Sequence, residues 1–322
     1  MSSQQSAIES EQEIGVPGVY LNYLTSISLL EKVTPFELIC TLHAIGDGII
    51  VAVMAFWCAP LIWFDSTAMG ESTANKMLGR IVCYCWYLIH YTQLLLAINR
   101  FMAVNSFLHY KRVFSIRNTK IALIALCLYL SWYFVVPFFD GCQFAFNLST
   151  WQWSFEFTTC GLVFGLYLDF YFTIVLLLAI TTLDCFTAVG IYRHRMQSVN
   201  CHFNRTDIMF FVQSCTSNIL FIIDLSLFFV GPLIYNRIFG KSADKFGSFL
   251  INTLFMEISH SLDGLLMVAF NRRALSRIFS PLRVLLKHHG RVSNEAHLRA
   301  YEQKANNDVE LITAVPTEGE GR

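Results

Sequence analysis

The segment LGRIVCYCWYLIHYTQLLLAINRFMAV, residues 78–104, is aliphatic and aromatic along most of its length and contains no acid. Its formal charges are Arg80 and Arg100, one towards each end. A helix that crosses a bilayer needs roughly 20 apolar residues, because lipid offers no partner for backbone N–H and C=O groups. This segment meets that length, and so do 37–64, 119–139, 161–192, 208–235 and 246–270. Six such stretches predict an all-α membrane protein, a bundle of six clear spans. Composition agrees: 55% of residues are hydrophobic and 14% charged, against about a quarter charged in soluble domains. The net charge of zero gives no basic field for nucleic acid.

Outside these spans the chain divides by composition. Residues 1–36 are a polar N-terminal segment containing one short apolar stretch, PGVYLNYLTSISLL at 17–30. Fourteen helical residues extend about 21 Å against a hydrocarbon core of roughly 30 Å. The stretch is therefore expected to lie on the membrane or against the bundle, with a spanning helix as the alternative. The start of the chain has no basic region ahead of an apolar core and does not read as a cleavable signal peptide. The bundle occupies 37–271. Residues 272–289 include ALSRIFSPLRVLLK (274–287), whose mixed basic and apolar residues suit a short amphipathic C-terminal helix in the headgroup plane, with Pro281 as a potential break. The polar stretch 290–322 reads as a disordered cytoplasmic tail.

Lys and Arg in short loops set orientation. Lys111, Arg112, Arg117 and Lys120 follow the second apolar stretch, Arg193, Arg195 and Arg205 follow the fourth, and Arg272, Arg273, Arg277, Arg283 and Lys287 follow the sixth. The opposite connectors hold fewer, and 140–160 holds none. The basic side is expected to be cytoplasmic. The connector 140–160 then faces out, with Cys142, Cys160 and the sequon Asn147-Leu148-Ser149. An oxidising exterior permits a disulfide and glycosylation at Asn147. Cys142 paired with Cys160 is the preferred bridge, with Cys83–Cys160 as the alternative. A second sequon, Asn204-Arg205-Thr206, is on the inward side and is expected to stay bare.

The apolar stretches carry unusual ionisable residues: Asp47, His90, Asp169, Asp184, Asp224, Glu257, His260 and Asp263. Such groups cost about 2.5–3.5 kcal/mol each at mid-membrane and usually face the bundle interior. Asp47 and Asp263 fall at similar depth; they are expected to make buried structural polar contacts, and a shared buried polar or cation site, with Asn218 or Ser261, is the alternative. Tyr84, Trp86, Tyr87, His90 and Asp169 cluster towards the outer side and form the candidate ligand pocket, because small-molecule sites combine aromatic walls with a few polar groups. Each of these aromatics is equally readable as an interfacial belt residue. Pro60, Pro137 and Pro232 sit near outer helix ends, where they kink or terminate.

Several segments together resemble the nematode serpentine receptor class X chemoreceptors, a family of rhodopsin-like seven-helix receptors. They are FELICTLHAIGDGII (36–50), AINRFMAV (97–104), HYKRVFS (109–115) and HSLDGLLMVAFNRR (260–273). To these add the aromatic loop Cys142, Trp151, Trp153, Phe155 and Cys160. The resemblance implies a rhodopsin-like transmembrane helix bundle that binds a small-molecule ligand on its outer side and couples to a heterotrimeric G protein, in the plasma membrane of sensory cells. It places Asn99, Arg100 and Phe101 at the acidic-Arg-aromatic switch that contacts the G protein, where Arg100 changes partners between states. Asn99 replaces the usual acid, so a lock must come from hydrogen bonds or from an acid on another helix. Asp263 occupies the switch element of the last helix, without its Pro and Tyr. The resemblance starts at the second span of the family, so the chain is expected to lack the first. A truncated, non-signalling isoform that binds full-length relatives in a receptor oligomer is the alternative role.

Other classes fit less well. Arg at every third position and a TVGYG filter, which would mark a channel, do not occur. Nor do the paired broken helices of a transporter, or H-E-x-x-H, G-x-S-x-G and P-loop motifs. No enzyme activity, cofactor or metal is expected.

Overall fold

The computed structural model describes residues 34–136, 139, 141–197, 205–240 and 244–270, with isolated positions 17, 19 and 23. The chain divides into units 1–274 and 275–322, and the second lies wholly outside the described residues. So do the expected C-terminal helix and tail, Pro137, Asn204 and, apart from those isolated positions, the stretch 17–30 with the question of a first span.

Each of the six apolar stretches is helical. Helix α1 is Pro35–Phe64, α2 the short Thr67–Gly70, and α3 Thr73–Asn105. Then come α4, Phe107–Val113, and α5, Ile116–Val135. Helix α6 joins Thr159–Leu162, a π-helical turn Val163–Tyr171 and Phe172–Gln197. Helix α7 is Arg205–Phe239, and α8 joins Lys245–Phe249, the π-helical Leu250–Leu254 and Phe255–Phe270. Five of these, α1, α3, α5, α6 and α7, are long and apolar enough to cross a membrane by length and composition. The sixth stretch is fully helical as α8, where Glu257, His260 and Asp263 interrupt its apolar run.

Capping residues explain why the helices start before the apolar runs do. Thr34 caps α1 in a reciprocal capping box with Glu37, ahead of Pro35 at the first turn. Ser72, Ser115, Thr158 and Asp244 cap α3, α5, α6 and α8 through a side-chain oxygen that accepts a backbone N–H three residues on. Each satisfies a donor that the first helical turn leaves orphaned. Pro232 sits inside α7, which continues beyond it. Pro60 follows a π-helical turn at Met54–Cys58, and the wider turn relieves the clash a proline makes with the carbonyl four residues back.

Helix α3 runs through the middle of the bundle, packed on α1, α5 and α6; α1 also meets α8, α8 meets α7, and α7 meets α6. The outer surface is greasy: Ile121, Ile124 and Leu128 form one exposed face of α5, with Leu128 69% exposed. A water-soluble protein would rarely display such a face. Between apolar helices in lipid the hydrophobic effect adds little, so association rests on close packing and interhelical polar contacts.

The connector 140–160 contains an antiparallel hairpin, β1 (Phe144–Asn147) against β2 (Gln152–Phe155), with Phe144 opposite Phe155 and Phe146 opposite Trp153. Cys142 and Cys160 are joined in a disulfide that ties its base to the start of α6. The hairpin turns its rings inward over the bundle mouth. Trp153 Nε1 donates to Met54 Sδ at 3.0 Å, and Thr253 Oγ1 donates to the Trp151 carbonyl at 2.9 Å. Asn75 donates to the Phe146 carbonyl at 2.9 Å and accepts from Trp57 Nε1 at 3.0 Å, stitching α1, α3 and β1 together. Gly79 lets α3 touch β1, since a Cβ there would overlap the Phe144 carbonyl.

Candidate functional site

Beneath the hairpin lies a narrow, mostly apolar cavity. Phe144 and Phe155 roof it; Val82, Cys83 and Trp86 of α3 line one wall, and Leu225, Phe228 and Phe229 of α7 another. Two carboxylates enter this apolar space, Asp169 from α6 and Asp224 from α7. Asp169 sits in the π-helical turn of α6. The π turns of α1 and α8 supply Met54 and Thr253 to the hairpin, so each of the three wide turns presents a functional group to this end of the bundle. Asp169 lies beside the Trp86 indole and the Tyr87 hydroxyl. These two donors point loosely at the Asp169 carboxylate, whereas Asp224 Oδ2 has no hydrogen-bond partner among the described residues.

Of the expected pocket residues, Trp86 and Asp169 line the cavity. His90 stacks on Trp86 at 4.5 Å, and its Nδ1–H donates to the Trp86 carbonyl at 2.8 Å. Tyr87 stacks its ring on Tyr133 of α5 at 3.6 Å while its hydroxyl lies towards Asp169. Tyr84 is placed outside the cavity lining: its hydroxyl donates to the Cys127 carbonyl of α5 at 3.4 Å, because its position on α3 turns it towards that helix. Asp224 completes the site.

One step deeper, Asp47 and Asp263 do meet, but their partners are histidines. His260 Nδ1 contacts Asp47 Oδ1 at 2.8 Å, and His43 Nε2 contacts Asp263 Oδ2 at 2.7 Å and Asp47 Oδ2 at 3.5 Å. All four are essentially inaccessible. His43 Nδ1 faces Thr92 Oγ1 at 2.9 Å, while that hydroxyl donates to the Leu88 and Ile89 carbonyls of its own helix. The ring of His43 thus has a polar partner at each nitrogen, Thr92 on one side and Asp263 on the other. Ligand atoms of His43, Asp47 and Asp263 lie within 4.8 Å of one another, close enough for a small cation to bridge them. Asn218 is elsewhere, donating to Thr181 Oγ1 of α6 at 2.7 Å, because its face of α7 looks onto α6. Ser217 lies beside Asp263 instead, and Ser261 Oγ has no partner among the described residues.

Towards the opposite end, Arg100 is buried between three helices. Its guanidinium contacts Asp184 Oδ1 of α6 at 3.2 Å and donates to Ser214 Oγ of α7. Ser214 in turn donates to Asp184 Oδ2 at 3.1 Å. Gln93, two turns earlier on α3, approaches Ser214 at 3.5 Å. Asn99 reaches Tyr110 of α4 at 3.4 Å, and Phe101 meets Phe186 edge-on at 6.4 Å. A single terminal nitrogen of Arg100 makes both contacts, and its Nε has no partner among the described residues.

Aromatic rings bridge the upper two sites. Trp86 and Phe221 lie 5.8 Å and 6.1 Å from the His260 ring, and Phe221 is 5.1 Å from His90 and 6.2 Å from His43.

Comparison with known proteins agrees with this architecture. Squid rhodopsin superposes with a TM-score of 0.69 at 15% identity, covering 87% of this chain and 86% of that one, which establishes the fold. Serpentine receptor class X 45 of Caenorhabditis elegans is 25% identical over 279 residues, 81% of this chain and 76% of that protein. The family described as serpentine type 7TM GPCR chemoreceptor Srx matches residues 13–271. The chain belongs to the Srx family of serpentine G-protein-coupled chemoreceptors and is a multi-pass membrane protein.

Proposed function

We propose that the protein is a chemosensory receptor of the plasma membrane of sensory cells. It admits a small molecule from outside into the cavity under the hairpin and activates a heterotrimeric G protein at the Arg100 end. On this reading the hairpin, the disulfide and a glycan at Asn147 face the exterior. Asn147 caps a turn at the hairpin tip, its Oδ1 accepting from Ser149 N and Oγ at 2.8 and 2.7 Å.

The observation that carries this reading is the cross-helix tie on Arg100. Asn99 provides no adjacent acid, yet Asp184 and Ser214 supply an anion and a hydroxyl from two other helices. A monodentate contact of this kind can be exchanged: if α6 and α7 move away from α3, Arg100 is released to bind a transducer. A ligand wedged between Trp86 and Asp224 would push α3 and α7 apart at the other end. The Trp86–Phe221–His260 ring contacts and the His43–Asp263 hydrogen bond would pass that displacement to α1 and α8.

The test is nucleotide exchange on Gα subunits in membranes expressing the chain, compared with Arg100→Ala at matched surface level. Exchange above background that Arg100→Ala abolishes supports receptor coupling. Exchange indifferent to the substitution refutes the role of Arg100. Silence of both chains across a Gα panel favours a non-signalling isoform, and an ion current without G protein favours a channel.

A further inference from the structure

We propose that the cavity under the hairpin selects small protonated amines with an apolar or aromatic body, held between Asp169 and Asp224. This assignment rests on the reading of the cavity as the ligand site and adds the chemistry of the ligand. Asp169 is 7% and Asp224 3% exposed and they come from different helices; Asp169 faces only the weak donors Trp86 and Tyr87, and Asp224 Oδ2 has no donor among the described residues. No Lys or Arg lines the cavity. His260, which acts on Asp224, is committed through Nδ1 to Asp47, and His90 beside Trp86 through its own Nδ1 to the Trp86 carbonyl.

Burying one carboxylate without a cation is unfavourable, and burying two in the same apolar space is more so. An ammonium group placed between them removes that penalty and gains charge-assisted hydrogen bonds. The remaining walls suit the rest of such a molecule: Trp86, Phe228 and Phe229 offer ring faces to a cation and apolar surface to its body. A ketone of the same shape would donate to neither carboxylate, and an alcohol could donate one neutral hydrogen bond but bring no charge. An anionic ligand would be repelled.

The experiment uses the purified full chain in lipid nanodiscs. Benzylamine, 2-phenylethylamine and cyclohexylmethylamine are compared with their alcohol counterparts by thermal-melt shift and mutual competition. At least one amine is expected to raise the melting temperature saturably, with its alcohol twin at least tenfold weaker. Asp169→Asn and Asp224→Asn should each weaken the amine tenfold or more, because each removes one of the two charges that face the ammonium. Alcohols that bind as tightly as the amines, no binding by any amine, or full amine affinity in the doubly substituted chain would overturn the proposal. The wild-type comparison alone decides if a variant does not fold. Alcohols that bind and drive nucleotide exchange sink the amine assignment while the receptor reading survives. Amine binding without any effect on exchange upholds the assignment and removes the signalling role.

Discussion

Replacing Asp184 by Asn removes the charge that Arg100 faces while keeping the side chain's size. The two side chains are 5% and 10% exposed, so their contact is little screened by water. A hydrogen bond to a charged group contributes about 1.5–3 kcal/mol. If that contribution is present in the resting arrangement and lost in the active one, the substitution raises the active-to-resting ratio about 10- to 150-fold. A receptor that is about 1% active without ligand would become about 10–60% active. The assay is ligand-independent nucleotide exchange, normalised to surface-labelled receptor, because breaking a buried ion pair also costs about 3–5 kcal/mol of folding stability. Ser214→Ala should act in the same direction with a smaller, roughly two- to tenfold rise, as it removes a hydroxyl and no charge. Unchanged basal exchange in a well-expressed Asp184→Asn chain would refute the idea that this contact holds the resting state.

Other substitutions test the scaffold. Opening the Cys142–Cys160 bridge with Cys160→Ser should cost about 3 kcal/mol from the freed loop, seen as a lower melting temperature and faster proteolysis within 140–160; an unchanged melt would mean that the hairpin is held by its other contacts alone. Gly79→Ala should displace β1 and cost about 1–3 kcal/mol through overpacking, and a wild-type melt would contradict the close approach. Asp263→Ala leaves His43 Nε2 facing only Asp47 and should destabilise by about 3 kcal/mol or more. Asp263→Asn retains a hydrogen-bonding group and should cost less; equal losses in the two variants would mean that the pair is not what the site depends on.

The helices were legible because lipid imposes a length, and the six apolar stretches supplied it. Their ends were less so: caps such as Thr34 with Glu37 and Thr158 extend them into polar sequence. The hairpin had a readable signal that length alone does not use. Phe144, Phe146, Trp151, Trp153 and Phe155 alternate with smaller or polar residues, the period-two pattern of a strand with one buried face. His43 and His260 were also within reach, since each stands three or four residues before Asp47 or Asp263 and so shares its helix face. By contrast, the choice of Asp184 and Ser214 as the partners of Arg100 depends on the rotation of α6 and α7 about their axes, which an apolar run does not specify. The same uncertainty explains why Tyr84 turns to α5 and Asn218 to α6. The three π-helical turns shift residues around their helices. Only the one before Pro60 has a residue that accounts for it.

A ligand entering under the hairpin and a transducer meeting Arg100 require those two ends to lie on opposite sides of the membrane, in one sense and not the other. Enzymatic deglycosylation of the full chain expressed in animal cells, with Asn147→Gln and Asn204→Gln compared, reads that sense directly. The expected result is a sugar-dependent mobility shift lost in Asn147→Gln and kept in Asn204→Gln. Attachment at Asn204 would put the Arg100 end outside the cell and contradict the assignment of both ends.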